Sequence, residues 1–260
     1  LKHQKVEVQF MLEVNEIFGP TIQGEGKRVG NPSVFVRFGK CNMTCAGFEV
    51  EYETPSGIKK CSCDSFYASD IAFRDEWQKY TTAKSLIEEV DKLLPDYKVD
   101  IVLTGGEPLL YWNDTEFQKF MKHYVEAGYH LTIETNGSID IELKEEWQKK
   151  LLFSMSVKLS NSGESLSKRV NIKTLSHIIN SVDESYLKFV VSLDSLENAI
   201  QEIDDILVQI PSCEVYLMPL GDTAEVIDKN SASVIELAIK KGFKYSDRLH
   251  IRVWNNKRGV

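Results

Sequence analysis

The sequence predicts an α/β protein built as an open, partial TIM-like (β/α)6 barrel. Short runs rich in Val and Ile alternate with stretches of helical spacing along most of the chain, which is the pattern of parallel β-α units. About six such units can be traced, too few to close an eight-stranded barrel. Three marked motifs also fall at the ends of strand candidates: Gly39 to Cys45, Gly105-Gly106-Glu107-Pro108 and Glu134-Thr135-Asn136-Gly137. Barrels of this kind collect their chemistry at the C-terminal ends of strands.

Ser33-Val34-Phe35-Val36-Arg37-Phe38 alternates like a strand and ends at Gly39. Between Cys45 and Cys63, Glu49 to Glu53 and Ile58 to Lys60 flank Thr54-Pro55-Ser56-Gly57, a turn sequence. That segment is expected to fold as a hairpin about Pro55-Ser56. Phe48 then lies opposite Cys63, about 5 Å away, and a distant cysteine rejoins the first two. Ala83, Leu86, Ile87, Val90, Leu93 and Leu94 have helical spacing, stopped by Pro95.

Asp100 to Thr104 reads as a short buried strand. Phe117, Phe120, Met121, Tyr124 and Val125 form the next helical stripe, closed by Gly128. His130 to Glu134, Phe153 to Leu159, Leu187 to Ser192, Val215 to Met218 and His250 to Val253 are further strand candidates. Helical stripes lie at Leu196, Ala199, Ile200, Ile203, Ile206 and Leu207, and at Val234, Leu237 and Ala238.

The 260 residues, 42% hydrophobic, suffice for one large domain with a sizeable core. The net charge of −8 argues against nonspecific nucleic-acid binding, which needs clustered Lys and Arg. No apolar run approaches the roughly 18 residues of a membrane span. The polar N-terminus, Leu1 to Val8, does not suit a signal peptide. A soluble, cytoplasmic protein with no nucleic-acid or membrane partner is expected.

Cys41, Cys45, Cys61 and Cys63 cluster, while Cys213 stands alone and reads as a small buried hydrophobe. In a chain of this kind, metal or cluster ligation is expected over disulfides. Zinc held by all four thiols would make the chain a noncatalytic, zinc-stapled binding module. The Cys61-Ser62-Cys63 pair is tighter than the usual zinc spacing, and spacing alone leaves cluster and zinc both open.

The order of motifs carries a resemblance. Ile17-Phe18-Gly19-Pro20-Thr21-Ile22-Gln23-Gly24-Glu25-Gly26 precedes Val34 to Phe38, Cys41-Asn42-Met43-Thr44-Cys45, Cys63-Asp64-Ser65 and Thr104-Gly105-Gly106-Glu107-Pro108. This series resembles the radical S-adenosylmethionine (SAM) superfamily and, within it, the 7-carboxy-7-deazaguanine synthase family, from Leu12 to the tail Trp254 to Val260. Met11 resembles a family-style start, so residues 1–10 are expected to be an N-terminal extension to a radical SAM domain over 11–260. The family pattern C-x3-C-x2-C is broken here by an insertion, residues 46–62. The resemblance favours Cys41, Cys45 and Cys63 as cluster ligands, with Cys61 as rival to Cys63.

The resemblance implies a lyase that converts 6-carboxy-5,6,7,8-tetrahydropterin to 7-carboxy-7-deazaguanine with release of ammonia, in queuosine-type 7-deazapurine biosynthesis. It implies a [4Fe-4S] cluster, SAM and Mg²⁺, an electron donor such as flavodoxin or ferredoxin, and a homodimer. A glycyl-radical-enzyme activase of the same superfamily is the alternative enzyme, against which Gln23 to Gly26 argues.

By the same matching, Ser62, Cys63, Asp64, Gly106, Glu107, Ser156, Val157, Lys158 and the loop Met218, Pro219, Leu220 and Gly221 lie along SAM. Ile22, Gln23, Gly24, Arg37, Thr104, His250 and the terminal Val260 face the pterin, with Arg37 on its carboxylate. Ser65 stands where the family commonly has a threonine that helps hold Mg²⁺. Read as residues alone, Arg37 is an outward-facing strand residue, Ser65 a helix cap and Glu107 part of a strand-end turn.

Overall fold

The computed structural model describes residues 11–260; the expected N-terminal extension, residues 1–10, lies outside the described residues. Strand β1 (Leu12–Ile22) turns back as β2 (Pro32–Phe38), and the hairpin β3 (Val50–Glu53) and β4 (Lys59–Ser62) follows. After it come α1 (Phe66–Ser69), β5 (Gln78–Tyr80), α2 (Ala83–Asp91), β6 (Asp100–Gly105), α3 (Thr115–Glu126), β7 (Leu131–Thr135) and β8 (Leu152–Met155). The chain closes with α4 (Leu166–Arg169), α5 (Ile172–Ser181), β9 (Glu184–Val191), α6 (Leu196–Leu207), β10 (Glu214–Pro219), α7 (Ala224–Lys241), β11 (Lys244–Tyr245) and α8 (Leu249–Trp254). Side-chain oxygens of Thr82, Asp114, Asn171 and Thr223 accept backbone N–H groups at the starts of α2, α3, α5 and α7, satisfying donors that no turn of helix can reach.

One sheet runs β11-β10-β9-β8-β7-β6-β2-β1-β5. From β2 through β6 to β11 every pairing is parallel, whereas β1 pairs antiparallel with β2 and β5. Because β5 and β11 stand at opposite ends without joining, the expected open barrel with six main parallel strands is what forms.

The strand period of two divides its residues between two environments. Val34, Val36, Ile101, Leu103, Ile133, Leu187, Phe189 and Leu217 join the apolar core with Leu86, Phe117, Phe120, Leu175, Ile203 and Val234 of the helices. Their neighbours Phe35, Arg37, Thr104, Glu134, Lys188, Val190 and Met218 face a cavity inside the curve of the sheet. Crossover helices therefore cover the outer face, and the polar residues that interrupt the strands are those turned inward.

Four expectations are corrected. His250 to Val253 is not a strand but lies in α8; the edge beside β10 is taken by β11, and Arg252 pins the helix through Asp247 and Ser231. The strand expected over Phe153 to Leu159 ends at Met155, and that over Val215 to Met218 extends from Glu214 to Pro219. The hairpin register is shifted by one: Val50 pairs with Ser62 and Glu51 with Cys61, while Phe48 lies in a short 3-10 turn. Thr54 and Ile58 are bridged by a backbone bond, leaving the three residues Pro55 to Gly57 in the turn, and Gly57 takes the left-handed conformation such a loop requires. Between β7 and β8 the chain forms a 3-10 helix at Glu146–Lys150.

Candidate active site

Strand ends, the insertion and α8 enclose a cavity of about 800 Å³. Three of the thiols meet there. Cys41, Cys45 and Cys63 line the cavity, whereas Cys61 is exposed on β4. Burial raises the pKa of all three lining thiols, that of Cys45 to about 11; neighbouring thiols add to the effect at Cys41 and Cys45, and Asp64 does so at Cys63. Such thiols stay neutral until a cation replaces their protons. Among the described residues no three Cys, His, Asp or Glu side chains converge closely enough for a single metal ion. A cubane cluster, whose cysteine ligands bind different irons, suits a wider triangle. Cys213 is half-buried against the core and far from this chemistry.

The insertion is tied back at its end. Ser62 is buried, and its Oγ donates to the carbonyl of Thr44, so it turns away from the cavity its neighbour Cys63 lines. On the other side, Glu164 Oε1 accepts from the backbone N–H groups of Thr44 and Cys45, the latter at 3.0 Å, and from Thr44 Oγ1. Against its burial, Lys168 and these donors hold the Glu164 pKa down to about 2.

At the end of β6, a side chain on Gly106 would place its Cβ 1.9 Å from the Lys40 carbonyl oxygen. The close approach that glycine permits is thus to the entry of the cluster loop, sealed by Gly106 N–H to Phe38 and Glu107 N–H to Lys40. Glu107 does not line the cavity. Its carboxylate accepts from Thr135 Oγ1 (2.7 Å), Asn136 N–H (2.8 Å) and Leu109 N–H (3.0 Å), and burial pushes its pKa up. It welds two strand ends together, with three of its acceptor sites taken by groups of the chain itself. Val157 and Pro219 are likewise buried away from the cavity, but Asp64, Gly106, Ser156, Lys158, Met218, Leu220 and Gly221 reach it.

Ile22, Gln23, Gly24, Arg37, Thr104, His250 and Val260 all line the same cavity. Gln23 donates to Glu134 Oε1 (3.1 Å) and Thr104 to Glu134 Oε2 (2.8 Å). Arg37 faces inward, not outward; its Nε donates to Glu16 at 2.7 Å. Its Nη1 comes within 3.5 Å of the Ser65 Oγ. Ser65 stands at the start of α1 but makes no capping bond there; its hydroxyl donates to Asp64 instead. Burial lowers the His250 pKa against the pull of Glu25, leaving a neutral ring at pH 7.

Sequence reasoning missed the charged residues that organise this floor. Lys188, fully buried on β9, pairs with Glu25 Oε2 at 2.5 Å; Arg248 Nε donates to Glu25 Oε1 at 3.0 Å and its Nη2 to Asp64 at 2.6 Å. Burial alone would raise the Glu25 pKa, but the two cations bring it far below the usual carboxylate range. The signal for Glu25 was its place inside the Gln23–Gly26 motif; for Lys188 it was a lone charge in an apolar strand.

Residues 22–179 match the family described as "4Fe-4S single cluster domain". A 7-carboxy-7-deazaguanine synthase from Halobacterium salinarum is 30% identical, across 94% of this chain and 91% of its own. The chain belongs to the 7-carboxy-7-deazaguanine synthase family. A synthase from Rhodopirellula baltica is 30% identical over 92% of this chain and 85% of its own, and one from Bacillus subtilis 25% identical over 96% and 98%. The solved structure of QueE from Escherichia coli shares the fold, with a TM-score of 0.64 at 19% identity over 92% of this chain and 95% of that one. As a member of the 7-carboxy-7-deazaguanine synthase family the chain is a radical SAM lyase, and the activase and zinc-module readings are set aside. No helix among the described residues is long and apolar enough to cross a membrane.

Proposed function

We propose that this protein converts 6-carboxy-5,6,7,8-tetrahydropterin to 7-carboxy-7-deazaguanine and ammonia, for queuosine-type 7-deazapurine synthesis. The observation that carries the reading is one cavity shared by Cys41, Cys45 and Cys63 with Gln23, Arg37 and α8. Cys41, Cys45 and Cys63 hold the [4Fe-4S] cluster, and three thiolates leave one iron for SAM. When bound, cluster and SAM supply one-electron chemistry; the chain's own groups bind, orient and exclude water.

Gly106, Ser156, Lys158 and the Met218 to Gly221 loop flank SAM, with Asp64 beside them. Gln23, Thr104 and Glu134 form a hydrogen-bonded set able to read the pterin edge, and Val260 lines the same cavity. Arg37 keeps nitrogens free of Glu16 for the substrate carboxylate, a charge that suits its planar fork. Neutral His250 contributes a hydrogen bond rather than a charge. The Ser65 hydroxyl, lining the cavity beside Asp64, supports an Mg²⁺ contact, since magnesium takes hard oxygen ligands. A cytoplasmic homodimer served by flavodoxin or ferredoxin completes the proposal.

The test is anaerobic turnover of the carboxytetrahydropterin with SAM and a reductant, read by product mass with and without Mg²⁺. The deazaguanine mass and released ammonia are expected, with a magnesium response blunted in Ser65→Ala. A protein with a full cluster that cleaves SAM yet leaves the pterin unchanged refutes the substrate assignment.

A further inference from the structure

Glu164, in the loop between β8 and α4, grips the cluster loop from outside the cysteine motif. One oxygen, Oε1, accepts all three donors offered by Thr44 and Cys45, while Oε2 is held by Lys168 at 2.8 Å. The side chain is only 7% exposed, so water competes weakly for these bonds. Cys45 itself sits in the left-handed conformation (φ 50°, ψ 41°), a state non-glycine residues adopt at an energetic cost. Two N–H groups directed at one carboxylate oxygen hold the backbone in it. From the other side Ser62 binds the Thr44 carbonyl, so the Thr44 peptide is fixed at both ends of its turn.

We propose that Glu164 is a positioning residue for the iron–sulfur cluster, setting the Cys45 thiol toward Cys41 and Cys63 before iron arrives. The inference rests on the cluster ligation proposed above and concerns a residue that touches neither cluster nor substrate. Charge-assisted hydrogen bonds of this kind are worth roughly ten-fold or more in an equilibrium. Removing them should loosen Cys45 without unfolding a domain whose core lies elsewhere.

The experiment compares wild type, Glu164→Ala, Glu164→Gln and Lys168→Met after anaerobic reconstitution. It reads iron per chain, the electron paramagnetic resonance signal of the reduced cluster, the rate of iron loss to a chelator, and thermal melting of the iron-free protein. Glu164→Ala should lose iron about ten-fold faster or more, with an altered signal and a melting temperature close to wild type. Glu164→Gln, which keeps Oε1 as acceptor, should recover most of the retention, and Lys168→Met should hold iron like wild type. Wild-type retention in Glu164→Ala overturns the proposal, as does equal loss in the Gln and Ala variants with a matching fall in melting. A wild-type chain that takes up no cluster overturns this inference and the ligation on which it rests together.

Discussion

Cys61 and Cys63 sit two residues apart and have different surroundings. Cys61 is on β4 opposite Glu51 and open to solvent, whereas Cys63, just past the strand, turns into the cavity with Cys41 and Cys45. A thiol exposed on a two-stranded ribbon cannot reach that cavity without unpairing the ribbon. Cys63→Ala is therefore expected to abolish cluster uptake, and Cys61→Ala to retain nearly all iron, as measured by iron and sulfide analysis after reconstitution. Equal losses, or a greater loss in Cys61→Ala, would overturn the ligand assignment. Arg37 is decided by similar logic. Its Nε is committed to Glu16, and its ring neighbours Phe18 and Tyr67 each lie 5.6 Å from the guanidinium carbon, fixing the fork's plane. Arg37→Ala should weaken pterin binding about 10- to 150-fold with the cluster intact. Arg37→Lys should recover only part, because an ammonium lacks the fork. Unchanged substrate affinity in the alanine variant would remove the carboxylate role.

At the scale of elements, β1 is the strand that ties the cluster loop to the sheet. Glu13, buried on β1, pairs with Lys40 just before Cys41 and with Arg74 in the 3-10 turn that follows the insertion. Burial alone would raise the Glu13 pKa, yet its bonds to Lys40 and Arg74 bring it below the ordinary value of 4.5. A carboxylate with a depressed folded pKa contributes stability that is complete above about 4.5 and lost as pH falls through the lower folded value. Glu13→Gln should thus cost about 1–2 kcal/mol at pH 6, a modest figure because both cations are partly exposed. The gap between variant and wild type should narrow as pH drops below 4.5 toward the folded value, read by urea midpoints of the iron-free protein. A gap that does not narrow at all as pH falls below 4.5 would show that packing, not charge, is what the substitution removes.

The same strand shows where the sequence was hard to read. Its eleven residues include Gly19-Pro20 and two irregularities in the pairing with β2, so no clean alternation marks it. The parallel strands and most crossover helices were legible because each buries one periodic face. α5 carried a readable stripe, Ile172, Leu175 and Ile178, that went unassigned. His250 to Val253 misled because Ile251 and Val253 alternate as in a strand, although only Ile251 is buried. In the site, the residues named by motif nearly all reach the cavity. The inward charges Lys188, Glu25 and Arg248 were illegible as a group, since their pairing joins segments far apart in the chain.

Across the whole molecule, one chain of alternating charge spans the cavity floor: Lys188 on β9, Glu25 after β1, Arg248 at the start of α8, and Asp64 beside Cys63. Arg248 also donates to the Gly221 carbonyl beyond β10, and the Leu249 N–H reaches the Gly24 carbonyl at 2.9 Å. The C-terminal helix thereby fastens the loops that carry Gly24, Gly221 and Asp64 to one another. The arrangement matters because an open sheet has no closing strand to hold its two edges in register. Arg248→Met keeps the bulk of the side chain but leaves Asp64 without its cation and Glu25 with Lys188 alone. Cutting one partner from a buried network costs about 3–5 kcal/mol. A loss of that size in urea denaturation is expected, together with raised KM values for both SAM and the pterin. Arg252, one turn along α8, pairs instead with Asp228 and Asp247. Arg252→Met should therefore cost less and leave both KM values near wild type. Were the two variants to match in stability and in both KM values, the helix would be a cover over the cavity and not the tie among its loops.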